Sequence, residues 1–391
     1  MHIAIFLDQH PRSLGGAQAS VNLQAKFLRR AGHLVTIVAP AGKYGAEPGV
    51  LVYPSSKLTP DGEYHFTFNL WGAGRSVLAQ FEAMDEPLDL VHVQGDQWSA
   101  ALGVELARKL QVPVVQTMHT NIEMGVEKVL GKFGARVLIY MESLLWAAYT
   151  KAPQRGITSK GWKYQAQLVS AADAVIAPTQ HFADLCKANG VRGDIQVIAT
   201  GVDDDFLAEH PELANRREHQ AGEPVRILWC GRMSPEKRPV EFAKALARVT
   251  GNFEAVIYGD GQLLGDVKAA ISGNAQLAGR VRYVGRVSHH EMLAAIADSD
   301  VLAQSSVGFE TQGMTVYEAG VLGTTPLLCD PSIAADLPDG TYWLTRDDSV
   351  DALVETLQQA VDEVSAGRGK RIDLRERMLQ SKLTARMLDI Y

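Results

Sequence analysis

The chain lacks most of the features that mark specialised protein classes. Only three cysteines, Cys186, Cys230 and Cys329, occur in 391 residues. They are scattered, odd in number and form no C-x-x-C pair, so neither a disulfide framework nor a cysteine metal site is expected. Cys230 and Cys329 stand in the apolar runs ILWC and PLLC, where a buried strand thiol is the natural reading. Positive charge is not in excess either: 38 Lys and Arg face 45 Asp and Glu, a formal net charge of −7. The general basic footprint of a nucleic-acid-binding protein is therefore missing. No apolar run approaches the roughly 18 residues of a membrane span. The N-terminal run at 3–7 is closed by Asp8 and has no basic region before it, unlike a secretion signal. These absences point to work in the cytoplasm or on a membrane surface facing it, with no nucleic acid as partner and no metal.

What the chain does have is a repeating strand–turn–helix pattern. Hydrophobic residues make up 46%, and the length suits about two domains of roughly 100–200 residues each. HIAIFL, LVTIVAP, LDLVHVQ, VPVVQTMH, AVIAPT and IQVIAT read as buried strands with helices between several of them. The series restarts after residue 220 with VRILWCG, FEAVIYGDG, VRYVG, VLAQSS and TPLLCD. Ser288 and Glu291 have the spacing of a capping box, which fixes a helix start there. The polar stretch 203–224 divides the halves. Continuous apolar strands alternating with helices predict parallel sheets covered on both faces. The expected class is α/β, with two doubly wound domains facing each other across a cleft, 1–205 and 206–372. Ligands of such folds bind at the carboxyl ends of the strands.

Three motifs fall at such ends. The segment GFETQGMTVYEAG (308–320) follows the strand VLAQSS and opens a helix near Met314. Its Gly313 leaves the first-turn N–H groups accessible, and a helix start of this kind favours a diphosphate. Glu310 lies before the helix and Glu318 about one turn inside it, so one carboxylate can meet a sugar's hydroxyls and the other a ribose. GRMSPEK (231–237) places Arg232 and Lys237 at another strand end, where two cations could stabilise a departing pyrophosphate. Gly15-Gly16, between the first strand and helix, either brings backbone N–H groups to a phosphate or simply makes a tight turn. Its spacing is neither G-x-G-x-x-G nor a P-loop, which argues against a dinucleotide or ATP.

The order of GG, GH at 32–33, HT at 119–120, GVD at 201–203, GRMSPEK, YGDG at 258–261, YVGRV at 283–287 and Glu310-x7-Glu318 resembles glycosyltransferase family 4. The resemblance implies the GT-B fold and a retaining, metal-independent transfer from a UDP- or GDP-sugar, with no cofactor. It implies that Glu310 binds the sugar's hydroxyls, Glu318 the ribose, and Arg232 and Lys237 the diphosphate. Gly15 and Gly16 would approach the phosphates and His119 the sugar's C6 end. Val284 and Arg286 would line the base pocket, with Gln312, Gly313, Met314 and Thr315 completing the donor site. Segment 373–391 resembles the family's terminal helix that crosses back to the first domain. Thr200 stands where the family has asparagine, and Arg238-Pro239 replaces a small residue after the lysine.

Within the family, ETQGMT and HTNIE resemble bacterial enzymes that glycosylate diacylglycerol-type lipids. Residues 120–165 carry seven basic residues (Lys128, Lys132, Arg136, Lys151, Arg155, Lys160, Lys163) against three acidic ones. Apolar residues are interleaved, including Phe133, Val137, Ile139, Leu144 and Trp146. Such a segment is either a basic amphipathic surface for an anionic membrane or a core-facing helix with a solvated basic side. On the lipid reading, Asp96, Lys128, Lys132 and Arg136 serve the acceptor and the membrane. The sequence leaves open the same chemistry on a soluble or carrier-linked saccharide, and a sugar-nucleotide epimerase on the same fold.

Overall fold

The computed structural model describes the chain except residues 14, 57–64, 66, 68, 152–155 and 215–216, and the side chains of 128 and 129. The described residues form two compact units, Met1–Thr200 with Gln380–Tyr391, and Gly201–Leu379. The boundary therefore falls five residues before the expected 205. The return to the first unit begins at Gln380 rather than at 373. Residues 373–379 belong to the second unit because their backbone is tied there. Leu374 N–H donates to Gly320 O at 2.9 Å, and Val202 N–H to Met378 O at 2.8 Å.

In the first unit the described strands are β1 (His2–Phe6), β2 (Leu34–Pro40), β3 (Val50–Tyr53), β4 (Leu90–Val93), β5 (Val114–Thr117), β6 (Ala174–Ala177) and β7 (Ile195–Val197). They are all parallel, in the order β3-β2-β1-β4-β5-β6-β7. The second unit has β8 (Val225–Cys230), β9 (Phe253–Tyr258), β10 (Val281–Gly285), β11 (Val301–Gln304), β12 (Thr325–Leu328) and β13 (Trp343–Leu344), again parallel, in the order β10-β9-β8-β11-β12-β13. In both sheets the strand order reverses next to the first strand, between β1 and β4 and between β8 and β11. A crevice outside the strand ends opens at such a switch point.

The continuous apolar runs form the central strands because helices cover both faces. β1 is buried along its whole length, as is β11. The edge strands β3 and β13 were not expected; they are four and two residues long, too short to carry a pattern. The capping box forms as its spacing predicts. Ser288 Oγ accepts from Glu291 N–H at 3.2 Å, and Glu291 Oε2 accepts from Ser288 N–H at 2.8 Å, starting the helix His289–Ala297.

Candidate active site

In the second unit, two glycine-dependent loops pack backbone against backbone. A Cβ on Gly259 would lie 1.9 Å from Gly231 O, and one on Gly261 would lie 2.6 Å from Met233 O. Both glycines also have positive φ, 122° and 152°, so YGDG and GRM interlock only without side chains at these points. Met233 N–H donates to Asp260 O at 2.9 Å and closes the junction. Arg232 is left exposed at the tip of β8.

Lys237 ends the short 3-10 turn Pro235–Lys237. Its Nζ forms an ion pair with Glu310 Oε1, which also accepts from Ser306 Oγ at 3.0 Å. Ser305 Oγ donates to Lys237 O at 2.6 Å and accepts from Trp229 Nε1 at 2.8 Å. This chain of bonds ties the end of β8 to the end of β11, and so fixes where Lys237 and Glu310 meet. Arg238 takes a left-handed φ of 52°, and Pro239 occupies the first turn of the helix Pro239–Leu246. The Arg238 guanidinium donates to the carbonyls of Ser305 and Asp348. The unusual Arg-Pro pair thus belongs to the same junction.

Gly313, at φ 73°, turns the chain into the helix Met314–Leu322. Gln312 is buried, and Met314 and Thr315 are half-buried on the first turn. Glu318 is buried, and its Oε1 accepts from His289 Nε2 at 2.7 Å. That bond raises the His289 pKa above its ordinary value. Neither His289 nor Ser306 was expected. The capping box put His289 at the first helical position, but nothing in sequence linked it to a residue 29 positions away. Val284 is partly exposed on β10. Arg286 Nε lies 3.9 Å from Asp260 Oδ2, and Tyr283 OH donates to Gly259 O at 2.8 Å. Arg232, Lys237, Val284, Arg286, Glu310, Gln312, Gly313, Met314, Thr315 and Glu318 therefore share one rim of one sheet. Cations, a helix start and two carboxylates on that rim suit a ligand with a diphosphate centre and hydroxyl-bearing ends.

The remaining expected residues lie on the first unit. Gly15 is extended (φ 167°, ψ 158°) ahead of the helix Gly16–Arg30, which has no side-chain cap. The pair therefore opens a helix start and makes no left-handed turn. His119 Nε2 donates to Gln94 Oε1 at 2.7 Å, while Gln94 Nε2 donates to Gln24 Oε1 at 2.6 Å. Burial lowers His119 to about 4, so the ring is neutral near pH 7. Its neighbour His92, bonded to Thr117 Oγ1 and Tyr391 OH, is lowered to about 3 by burial and then by His119. Asp96 is buried; burial, then the charge of Asp8, raises it to about 8. Asp8 itself accepts from the N–H groups of Asp96, Gln97 and Ser99 at 2.6–3.1 Å.

The long helix Ile122–Thr150, interrupted at Gly131 (φ 67°), resolves the ambiguity of 120–165 into two faces. Ala135, Ile139, Trp146 and Tyr149 are buried. Leu130, Phe133, Val137, Tyr140, Met141 and Leu144 are exposed, Phe133 by 83%. Lys132 and Arg136 are exposed beside them. The side chain of Lys128 and all of Arg155 lie outside the described residues. No described helix is long and apolar enough to cross a membrane.

The family model for Glycosyltransferase Family 4 matches residues 14–206, and that for Glycosyl transferases group 1 matches 212–378. The chain belongs to glycosyltransferase family 4. It is 25% identical to the alpha-monoglucosyldiacylglycerol synthase of Streptococcus pneumoniae, over 95% of this chain and 84% of that one. It is also 25% identical to a GDP-mannose-dependent alpha-mannosyltransferase of Mycolicibacterium smegmatis, over 86% and 82%. Among solved structures, HepE of Anabaena in complex with UDP and glucose superposes with a TM-score of 0.68 at 16% identity, over 100% and 99% of the chains. Sucrose-phosphate synthase of Thermosynechococcus elongatus gives 0.69 at 19%, over 100% and 98%. The glycosyltransferase has the GT-B fold, and its two sheets are the two Rossmann-like halves of that fold.

Proposed function

We propose that this glycosyltransferase moves a hexosyl group from a UDP- or GDP-sugar to a hydroxyl of a diacylglycerol-type lipid, at the cytoplasmic face of a membrane. Transfer is retaining and needs no metal. The acceptor hydroxyl attacks on the face from which the nucleotide diphosphate departs, and a leaving phosphate oxygen takes its proton. Arg232, Lys237 and the Met314 helix start stabilise the charge developing on the leaving group. Glu310 holds the sugar hydroxyls and Glu318 the ribose. The relatives named for glucosyl- and mannosyl-transfer support a hexose donor, with UDP-glucose and GDP-mannose both fitting.

The lipid reading is carried by the exposed apolar stripe of the long helix. After the break at Gly131, Phe133, Val137, Tyr140, Met141 and Leu144 recur at helical spacing with Lys132 and Arg136 alongside. Apolar side chains can enter the acyl boundary while each cation gains about 1 kcal/mol near anionic headgroups. The test combines flotation with transfer. The protein should float with anionic liposomes and glycosylate their diacylglycerol-type lipid. Phe133→Asp should abolish flotation and cut lipid transfer at least tenfold, with donor binding unchanged. Equal flotation of the two proteins would sink the lipid reading. Epimerised sugar formed from donor alone would instead favour an epimerase.

A further inference from the structure

Glu318 and His289 meet from two helices of the second unit, and the bond between them engages one carboxylate oxygen only. Glu318 Oε1 accepts from His289 Nε2 at 2.7 Å. Glu318 Oε2 has no hydrogen-bond partner among the described residues, and it is not sealed from solvent. His289 is also the only ion-pair partner of Glu318 among those residues. The carboxylate is thus closed on one side and open on the other, although its side chain is only 7% exposed.

Packing, rather than the bond, sets where the two groups meet. The capping box of Ser288 and Glu291 makes His289 the first residue of the helix His289–Ala297. Leu293 and Ile296 of that helix share a hydrophobic core with Ala319 and Leu322 of the helix Met314–Leu322, and with Phe206. The Phe206 ring lies 4.5 Å from that of His290 and packs the same first turn from a third helix. Thr324 Oγ1 donates to Ile296 O at 2.5 Å and ties the far end of the pair. The His289 side chain contributes nothing to this core, being 57% exposed. Replacing it leaves no cavity, so the fold does not depend on it.

A carboxylate only accepts, so Nε2 carries the proton of this bond. The last torsion of a glutamate is soft, and pinning one oxygen therefore decides where the other points. Glu318 lies four residues beyond Met314, on the same helix face and about 6 Å along the axis. That is the reach from a diphosphate at the helix start to the ribose hydroxyls of the same nucleotide. We propose that His289 is a positioning residue for the donor, pinning Glu318 Oε1 so that Oε2 accepts from a ribose hydroxyl. This rests on the assignment of Glu318 to the ribose under the proposed function. His289 acts through Glu318, and the preference of the site for ribose over a deoxygenated sugar depends on both.

Calorimetric titration of the full chain with UDP, GDP and their 2′,3′-dideoxy counterparts reads that preference directly. Wild type should bind a ribonucleotide at least about tenfold more tightly than its dideoxy form, the effect of one hydrogen bond to a charged group. His289→Phe should weaken the ribonucleotide about fivefold and leave the dideoxy form unchanged, because an unpinned carboxylate must be ordered on binding. His289→Gln keeps an N–H donor of similar reach and should restore the preference. The inference is overturned if His289→Phe keeps the full preference, if it weakens both nucleotides equally, or if His289→Gln restores nothing. Glu318→Ala separates this outcome from the reading beneath it. A preference lost in Glu318→Ala but kept in His289→Phe would remove the role of His289 alone. A preference that survives Glu318→Ala, or a wild type that shows none or binds neither nucleotide, would take the ribose from Glu318 and the inference with it.

Discussion

Lys237 and Glu310 neutralise each other where the ends of β8 and β11 meet. The pair is more than half-buried on both sides, with Ser306 as a second donor to the carboxylate. A diphosphate at the Met314 helix start would compete with Glu310 for the lysine, releasing the carboxylate to accept from sugar hydroxyls. Donor binding and the arming of Glu310 are then one exchange of partners. Lys237→Ala should lower turnover by roughly 10²–10³-fold, the usual loss for one group that stabilises developing charge. Circular dichroism should show the fold intact, because Ser306 still serves Glu310. Steady-state turnover within a factor of a few of wild type would remove Lys237 from the chemistry.

At the scale of elements, the helix Met314–Leu322 depends on the left-handed turn at Gly313. A Cβ there would meet Ile333 Cδ1 at 3.4 Å, so space is adequate and the backbone carries the penalty. Gly313→Ala should destabilise the protein by about 1–2 kcal/mol, the strain of a non-glycine residue in that region, seen as a lower urea midpoint at unchanged slope. A midpoint equal to wild type would show that the turn relaxes. This helix start was legible in sequence because strand, glycine and apolar helix lie side by side in the chain. The capping box at Ser288 was legible for the same reason. The edge strands Val50–Tyr53 and Trp343–Leu344 were not, being too short to show a period. The His289–Glu318 bond joins two helices, and local pattern holds no trace of it. Residues 120–165 defeated the reading differently. A helix with one buried and one exposed apolar stripe looks apolar nearly all round, and only packing tells the stripes apart.

For the molecule as a whole, buried titratable groups of the first unit pull stability in opposite directions with pH. Asp96 binds its proton up to about pH 8 when folded but only to about 3.8 when unfolded. Its contribution is full below 3.8 and is lost as pH rises to 8. His119 resists protonation down to about 4 against an ordinary 6.5, so its contribution is full above 6.5 and lost as pH falls to 4. Comparing variants separates the two. The Tm of wild type minus that of Asp96→Asn should fall steadily between pH 4 and 8 in differential scanning fluorimetry. A difference that rises with pH would mean Asp96 is ionised in the folded protein.

The return of Gln380–Tyr391 to the first unit has a consequence for synthesis. Its last residue bonds His92 through the Tyr391 hydroxyl, beside the ring of His119. A ribosome makes these residues only after the entire second unit. The usual order, in which the N-terminal domain folds first and alone, therefore cannot be completed here. The half made first is the half finished last, and a nascent chain that already holds all of the second unit still lacks the helix that completes the first.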